Sequence, residues 1–272
     1  MVDVGSTVTT INPGDRVLGM AFVFLTGNHD HAAYQEYTML KAAGTITIPE
    51  SMSFRQAATL PTAVAIATMI LFDSLDLSQE AAANSGRSIL IWGGASTVGA
   101  MTIQLAHRFG LIVYTTASER HHARLREHGA SVVVDYNSPE AVGDILTAAS
   151  RAGAQISCAV DAISKPATLK SVTDVLEKSS APTKTLVHTA PLFENPDSPA
   201  GVELKYVNAT EIGSRRQDLV IWMCQDVLPK WLQGRDFVPQ KHRIIGGGLQ
   251  GLQAGLDVSR EGVSGEKLVV EL

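Results

Sequence analysis

The feature that most constrains this chain is a turn of small residues at positions 93–99, placed between an apolar run and a helical pattern. The run Ser88–Trp92 has the length and apolar character of a buried strand. The residues that follow the turn, as far as Phe109, repeat apolar side chains with the helical period. The sequence therefore predicts a strand, a tight turn and a helix in immediate succession.

The turn matches the pattern G-x-G-x-x-G, with Ser96 at the place of the second glycine. Small residues such as Gly94 and Gly99 let the backbone approach a pyrophosphate, whose charge would be met by free N–H groups at the start of the helix near Thr97. The position between strand and helix is the one that a dinucleotide site requires. The pattern predicts dinucleotide binding, and the alternative is a tight turn without a ligand.

Three other motifs are excluded. A P-loop needs Lys and then Ser or Thr after its last glycine, but Ala100 and Met101 follow Gly99. A nucleophile elbow around Ser96 would need glycine where Val98 stands. Tyr37 and Lys41 have the spacing of the short-chain dehydrogenase pair, but they precede the nucleotide-binding unit, so we interpret the match as a coincidence.

Further apolar runs predict a parallel sheet covered on both faces. They alternate with helical patterns and lie at Ile112–Thr116, residues 132–135, Ile156–Asp161 and Thr185–His188. Residues 1–49 differ, because they form short extended runs separated by turns. We therefore predict an α/β chain, with a Rossmann-type doubly wound parallel sheet and a smaller β-rich domain.

Composition narrows the function. The net charge is −5 and Lys plus Arg (22) are fewer than Asp plus Glu (27), which argues against nucleic-acid binding. No basic leader and no apolar stretch of spanning length is expected, so we predict a cytoplasmic protein without membrane contact. The two cysteines lie in separate segments, so we predict thiols buried in the core. The histidine pairs 29/31 and 121/122 have no further ligands nearby, so we predict that they are solvated and that the chain has no metal site.

The end of the second predicted strand indicates which dinucleotide binds. NAD sites place an acidic residue there, whereas NADP sites accommodate a phosphate. Ser118 can donate to a phosphate and Arg120 can neutralise it. Glu119 could instead turn toward a ribose, with Arg120 as a surface charge. The residues favour NADPH.

Taken in order, several segments resemble the zinc-independent medium-chain dehydrogenases/reductases and, among them, the fungal trans-acting enoyl reductases that serve polyketide synthases. The resemblance covers nearly the whole chain. Its landmarks are Pro13-Gly14-Asp15-Arg16-Val17, Tyr34-Gln35-Glu36-Tyr37, Ala57-Ala58-Thr59-Leu60-Pro61, the turn at 93–99, His128-Gly129-Ala130, Val134-Asp135-Tyr136 and residues 264–270.

The resemblance implies a GroES-like catalytic domain at residues 1–55, completed by 245–272, and a Rossmann NADP-binding domain at 56–244. It implies that NADPH delivers a hydride to an α,β-unsaturated thioester or ketone. Carried over by position, Ser96, Thr97 and Val98 would face the pyrophosphate, between Gly94 and Gly99. Ser118, Arg120 and Tyr136 would surround the 2′-phosphate, and His188 would flank the nicotinamide. No side chain is predicted to be catalytic.

Two departures accompany the resemblance. The chain starts at what resembles the middle of the GroES-like domain, so we expect that domain to be incomplete. Ile66 stands where many relatives have a threonine near the nicotinamide. The main prediction is reduction of a small or carrier-bound enoyl substrate, with a polyketide synthase as partner, by a monomer or homodimer. The alternatives are a quinone oxidoreductase and a truncated, non-catalytic NADP-binding protein.

Overall fold

The computed structural model describes residues 1–191, 201–208, 211, 215–234 and 237–272. Within these ranges the strands are β1 (Val17–Leu18), β2 (Ile46–Thr47), β3 (Ser88–Trp92), β4 (Ile112–Thr116), β5 (Val132–Val134), β6 (Ile156–Asp161), β7 (Thr185–His188), β8 (Glu203–Tyr206), β9 (Lys241–Ile245) and β10 (Glu266–Val270). The α-helices there are α1 (Val23–Thr26), α2 (Phe54–Ala57), α3 (Pro61–Thr68), α4 (Thr97–Arg108), α5 (His122–Glu127), α6 (Ala141–Arg151), α7 (Pro166–Lys178), α8 (Gln217–Trp222), α9 (Leu228–Gly234) and α10 (Leu252–Glu261).

The chain forms two compact units. One contains Met1–Ala65 together with Ala209–Leu272, and the other contains Ile66–Asn208. The contacts thus group residues 209–244 with the N-terminal segment, whereas the sequence assigned them to the Rossmann domain. The predicted domain boundaries, 1–55 with 245–272 and 56–244, stay a prediction about the family's domains.

The unit Ile66–Asn208 is built on a six-stranded sheet with the order β5-β4-β3-β6-β7-β8. All neighbouring strands in it are parallel. The middle strands β3, β4 and β6 are buried along almost their whole length, because α4 packs against β3 and β4 while α7 packs against β6. The strand order reverses between β3 and β6, and ligands of such sheets bind at the carboxyl ends of the strands at that point. The predicted doubly wound α/β fold is confirmed.

Several strands lie where the sequence placed them. Ser88–Trp92, Ile112–Thr116, Ile156–Asp161 and Thr185–His188 have the predicted bounds. β8 was not predicted, because its four residues, Glu203–Tyr206, are half-buried or exposed and do not form an apolar run. The sequence pattern therefore predicted the bounds of strands that are covered on both faces of the sheet.

The unit formed by Met1–Ala65 and Ala209–Leu272 contains less regular β-structure than predicted. Strands β1 and β2 pair antiparallel over two residues each, and β9 and β10 pair parallel over five. Each strand has a single hydrogen-bonded neighbour within the described residues, and isolated two-stranded ribbons are only marginally stable. Of the first 49 residues only Val17–Leu18 and Ile46–Thr47 lie in strands, and about half belong to no helix, strand, turn or bend.

One helical stretch corrects a sequence expectation. Residues Phe54–Ser74 form a stretch of 21 residues with mean hydropathy 1.5, which is long and apolar enough to cross a membrane by length and composition alone. However, 72% of its most apolar window is buried inside the protein. A buried core helix has the same composition, so this stretch is weak evidence for a membrane span.

Candidate functional site

The glycine turn is tied to the end of the neighbouring strand β4. The N–H of Gly94 donates to the carbonyl oxygen of Thr116 at 2.9 Å, and the N–H of Gly93 donates to Oγ1 of the same residue at 3.1 Å. Gly93 has φ = +82°, a conformation that residues with a side chain rarely adopt. These bonds fix the turn through which the chain passes from β3 directly into α4.

Helix α4 begins with its N–H groups directed into the turn. Ser96 is the N-cap, and its Oγ accepts the N–H of Gly99 at 3.0 Å. The N–H groups of Thr97 and Val98 have no acceptor among the described residues, and the first turn contains no acidic side chain. Together with the helix dipole, these two groups provide a place for an anion.

The glycines of the turn have no room for a side chain. A Cβ atom at Gly94 would meet Oγ1 of Thr115 and Cδ1 of Ile103, and a Cβ atom at Gly99 would meet the carbonyl oxygen of Gly93. The backbone is therefore closely packed on the protein side, while Ser96 and Thr97 remain half-buried. This arrangement fits a pyrophosphate laid against the turn.

The residues predicted to surround the 2′-phosphate follow two paired strands. Thr116 of β4 lies opposite Val134 of β5, so Ser118 and Tyr136 each follow by two residues at the same edge of the sheet. Ser118 is half-buried and its side chain forms no hydrogen bond as the cap of the following turn, whereas Tyr136 is 49% exposed. Arg120 is exposed, and its Nε donates to Nε2 of His121 at 3.3 Å. The structure brings all three to the same edge.

The sequence predicted that the histidines of this segment are solvated, but one of them has a structural contact. Nε2 of His122 forms a hydrogen bond of 2.8 Å with the carbonyl oxygen of Ala117, directly after β4. The N–H of Ala117 in turn donates to the carbonyl oxygen of Val134 at 3.0 Å. The carbonyl oxygen of Ala117 lies beyond the end of β4 and needs a donor from outside the strand, which His122 supplies. His122 therefore fixes the backbone that leads to Ser118.

His188 is the last residue of β7 and is 6% exposed. Its Nδ1 lies 2.9 Å from the carbonyl oxygen of Ala190, which fixes the proton on Nδ1 because a carbonyl can only accept. The imidazole stacks on the ring of Tyr206 from β8, with centroids 5.2 Å apart and planes inclined by 20°. The ring is thus held at the carboxyl edge of the sheet, as are the turn and Ser118.

Sequence reasoning missed a polar network at the exits of β6 and β7. It consists of Asp161, Ser164, Thr168 and Thr189, joined by side-chain hydrogen bonds. The available signal was a carboxylate that ends an otherwise apolar strand, followed by hydroxyl residues three and seven positions later. Such a carboxylate is rarely buried unless donors surround it.

The structure gives no grouping of metal ligands or activated thiols in its described part. There, no three His, Cys, Asp or Glu side chains are placed so that they could share a metal ion. Burial raises the pKa of the Cys158 thiol to about 11, and burial likewise raises the pKa of Cys224 to about 11. Both thiols stay protonated at neutral pH and are poor nucleophiles.

Comparison with known proteins gives relatives along the whole chain. The chain is 32% identical over 275 residues to the trans-enoyl reductase himH of Aspergillus japonicus, covering 100% of this chain and 78% of the relative. It is also 32% identical over 287 residues to the trans-enoyl reductase tndF of Aspergillus flavipes, covering 100% and 80%. No model of a protein family matches the chain.

Solved structures share the fold. The CurK enoyl reductase superposes with a TM-score of 0.71 at 17% identity, covering 98% of this chain and 75% of that one. The quinone oxidoreductase of Coxiella burnetii gives 0.70 at 25% identity, covering 100% and 76%. The architecture is therefore shared with oxidoreductases of both kinds.

Proposed function

Since the chain belongs to the medium-chain dehydrogenase/reductase family, in the group that contains the fungal trans-enoyl reductases, we propose that it is an NADPH-dependent reductase of activated carbon–carbon double bonds. Its substrate is an enoyl thioester, carried as an intermediate by a partner polyketide synthase. The observation that carries the proposal is similarity over the whole chain to two proteins named trans-enoyl reductase, together with a glycine turn that suits a dinucleotide.

The pyrophosphate lies against the glycine turn in this proposal. Gly94 and Gly99 allow the backbone to come close, and the N–H groups of Thr97 and Val98 donate to its oxygens. Ser96 acts by keeping the first turn of α4 in place through its bond to Gly99. All of these contacts come from backbone or cap groups, so they recognise any dinucleotide.

The residues that follow β4 and β5 select NADPH over NADH. Ser118 donates a hydrogen bond to the 2′-phosphate, Arg120 contributes its positive charge, and Tyr136 packs beside the adenosine. The exposure of Arg120 and Tyr136 supports this role, because neither is used in the core. Glu119 is also exposed and points to the alternative, a contact with an unphosphorylated ribose.

The nicotinamide end lies near the exit of β7. His188 flanks it there, with a ring oriented by Ala190 and Tyr206. When bound, NADPH supplies the hydride that reduces the β-carbon of the enoyl thioester, while a proton adds at the α-carbon. The contribution of the chain is to bind, orient and exclude water, so we assign no side chain as catalytic.

Turnover of two substrate classes tests the proposal. An enoyl thioester of N-acetylcysteamine and a quinone are each combined, in separate reactions, with NADPH and the full chain, and oxidation of NADPH is followed by its absorbance. Reduction of the thioester with NADPH preferred over NADH is the expected result. Turnover of the quinone alone would instead establish the second candidate, which the likeness to the Coxiella burnetii enzyme supports.

The partnership with a synthase is tested separately. The chain is incubated with a carrier protein loaded with the same enoyl group, and the product is identified by mass spectrometry. Reduction of the carrier-bound group with a lower KM than that of the N-acetylcysteamine thioester supports action in trans. Equal KM values for the two would contradict recognition of a carrier.

A further inference from the structure

Ser164 has a backbone conformation that a residue with a side chain rarely adopts. Its φ is +55°, and among the described residues only Asp76 and Arg216 are other non-glycine residues with positive φ. Glycine takes this conformation without a steric penalty, whereas serine does not. A serine at this position therefore needs an interaction that offsets the backbone strain.

The hydroxyl group of Ser164 connects the exits of two neighbouring strands. It donates to the carbonyl oxygen of Asp161, at the end of β6, at 2.9 Å. It accepts the N–H of Thr189 at 2.9 Å and the N–H of Ala190 at 3.2 Å, directly after β7. A hydroxyl has one proton and two lone pairs, so these three bonds use its full capacity.

The carboxylate of Asp161 holds Ser164 in this conformation. It is fully buried, and its Oδ1 accepts the N–H groups of Ile163 at 3.0 Å and of Ser164 at 2.9 Å. Its Oδ2 accepts the hydroxyl of Thr168 at 2.6 Å, in the first turn of α7. Three donors thus compensate the burial of the charge and fix the path of the loop.

The network lies at the point where the strand order reverses. Asp161 ends β6, which pairs with β3 on one side and with β7 on the other. The side chain of Ile163 lies over Gly93 so closely that a Cβ atom on that glycine would collide with it. Ser164 therefore stands between the glycine turn and the segment that contains His188 and Thr189.

We propose that Ser164 is a positioning residue for the nicotinamide half of the dinucleotide. Its hydroxyl holds the backbone of Thr189 and Ala190, and Ala190 in turn accepts the Nδ1 proton of His188. The inference rests on the proposed function, because it assumes that NADPH binds along this edge. In this inference Ser164 determines the shape of the nicotinamide site and takes no part in recognition of the adenosine half.

The test compares two ligands and two substitutions. Ser164→Gly removes the hydroxyl but adopts positive φ freely, so the variant folds; Ser164→Ala removes the same hydroxyl and keeps the strain. NADPH and adenosine 2′,5′-bisphosphate, which lacks the nicotinamide, are titrated against each variant. Ser171→Ala on α7 is the matched control, because within the described part of the chain its hydroxyl bonds only the carbonyl oxygen of Ala167, in its own helix.

With Ser164→Gly we expect the Kd of NADPH to rise about tenfold, because the two hydrogen bonds that hold Thr189 and Ala190 are lost and binding must then order this segment. We expect the Kd of the bisphosphate to stay the same and the fluorescence of bound NADPH to move toward that of free NADPH. Ser164→Ala shows the same pattern at lower stability, and Ser171→Ala leaves all three values unchanged.

Two results would overturn the inference. One is wild-type affinity of Ser164→Gly for NADPH, and the other is an equal loss of affinity for both ligands, which would indicate a general structural role. Failure of the proposed function looks different, because the wild-type chain would then bind neither ligand, and the inference would fall with it.

Discussion

The Oγ1 atom of Thr115 occupies the space that a side chain at Gly94 would need for its first carbon atom. Thr115 is held there because its hydroxyl donates to the carbonyl oxygen of Ile91 at 2.6 Å. A residue of the second strand of the nucleotide-binding unit thereby dictates glycine in the turn after the first strand. The packing on this side leaves the opposite side of the turn for a ligand.

Gly94→Ala is expected to destabilise the protein by about 1–3 kcal/mol, as overpacking of a closed site does. Adding Thr115→Ala removes the nearest of the obstructing atoms, so the double variant should lose less free energy of unfolding than the sum of the losses in the two single variants. Urea unfolding of the four proteins measures this coupling. Additive effects would show that the turn moves freely away from Thr115.

Arg120→Ala should weaken NADPH binding at least about tenfold, because a charge-assisted contact to a phosphate contributes roughly 1.5–3 kcal/mol. The Kd of NADH should not change, since NADH lacks this phosphate. The matched control is Arg126→Ala, which removes an exposed arginine of the nearby helix α5. Equal losses for NADPH and NADH would assign Arg120 a different role.

Ser96→Ala should reduce the free energy of unfolding by about 0.5–2 kcal/mol, the usual effect of losing an N-cap. It should also weaken binding of both dinucleotides, because the first turn of α4 is then less fixed. Ser53→Ala is the control, since Ser53 caps α2 in the same manner, with its side chain accepting the N–H of Gln56. If Ser53→Ala weakens binding equally, the effect arises from stability alone.

His128 should make the protein acid-sensitive. It is 3% exposed and neither ring nitrogen has a partner among the described residues, and burial, with the nearby charge of Arg124, lowers its pKa from 6.5 to about 4. Above pH 6.5 the imidazole is neutral in both states. As the pH falls toward 4, only the unfolded chain takes up the proton, so stability is lost by up to about 3 kcal/mol.

The slope of unfolding free energy against pH measures this effect. His128→Phe keeps an aromatic ring without a titrating group, so its stability should vary less between pH 6.5 and 4 than that of the wild type. Identical slopes for the two proteins would show that other groups cause the acid sensitivity.

Much of the fold follows from local sequence. The alternation of apolar runs with helical patterns predicted strands such as Ile156–Asp161 with the observed bounds. This was possible because a strand that is buried on both faces has apolar side chains at consecutive positions. Where burial is partial, as in Glu203–Tyr206, the pattern is absent and the strand was missed. The short extended runs near the N-terminus were recognised, but their pairing depends on partners that no local pattern specifies.

The sequence by itself determined the parallel α/β sheet, the glycine turn and the start of α4 at that turn, since periodicity, turn chemistry and capping act between residues close in the chain. Only the tertiary structure decided that Thr115 excludes a side chain from Gly94 and that Ser164 bonds Thr189. These relations join residues more than twenty positions apart. They depend on how strands are ordered in the sheet, and strand order is set by the packing of the whole unit.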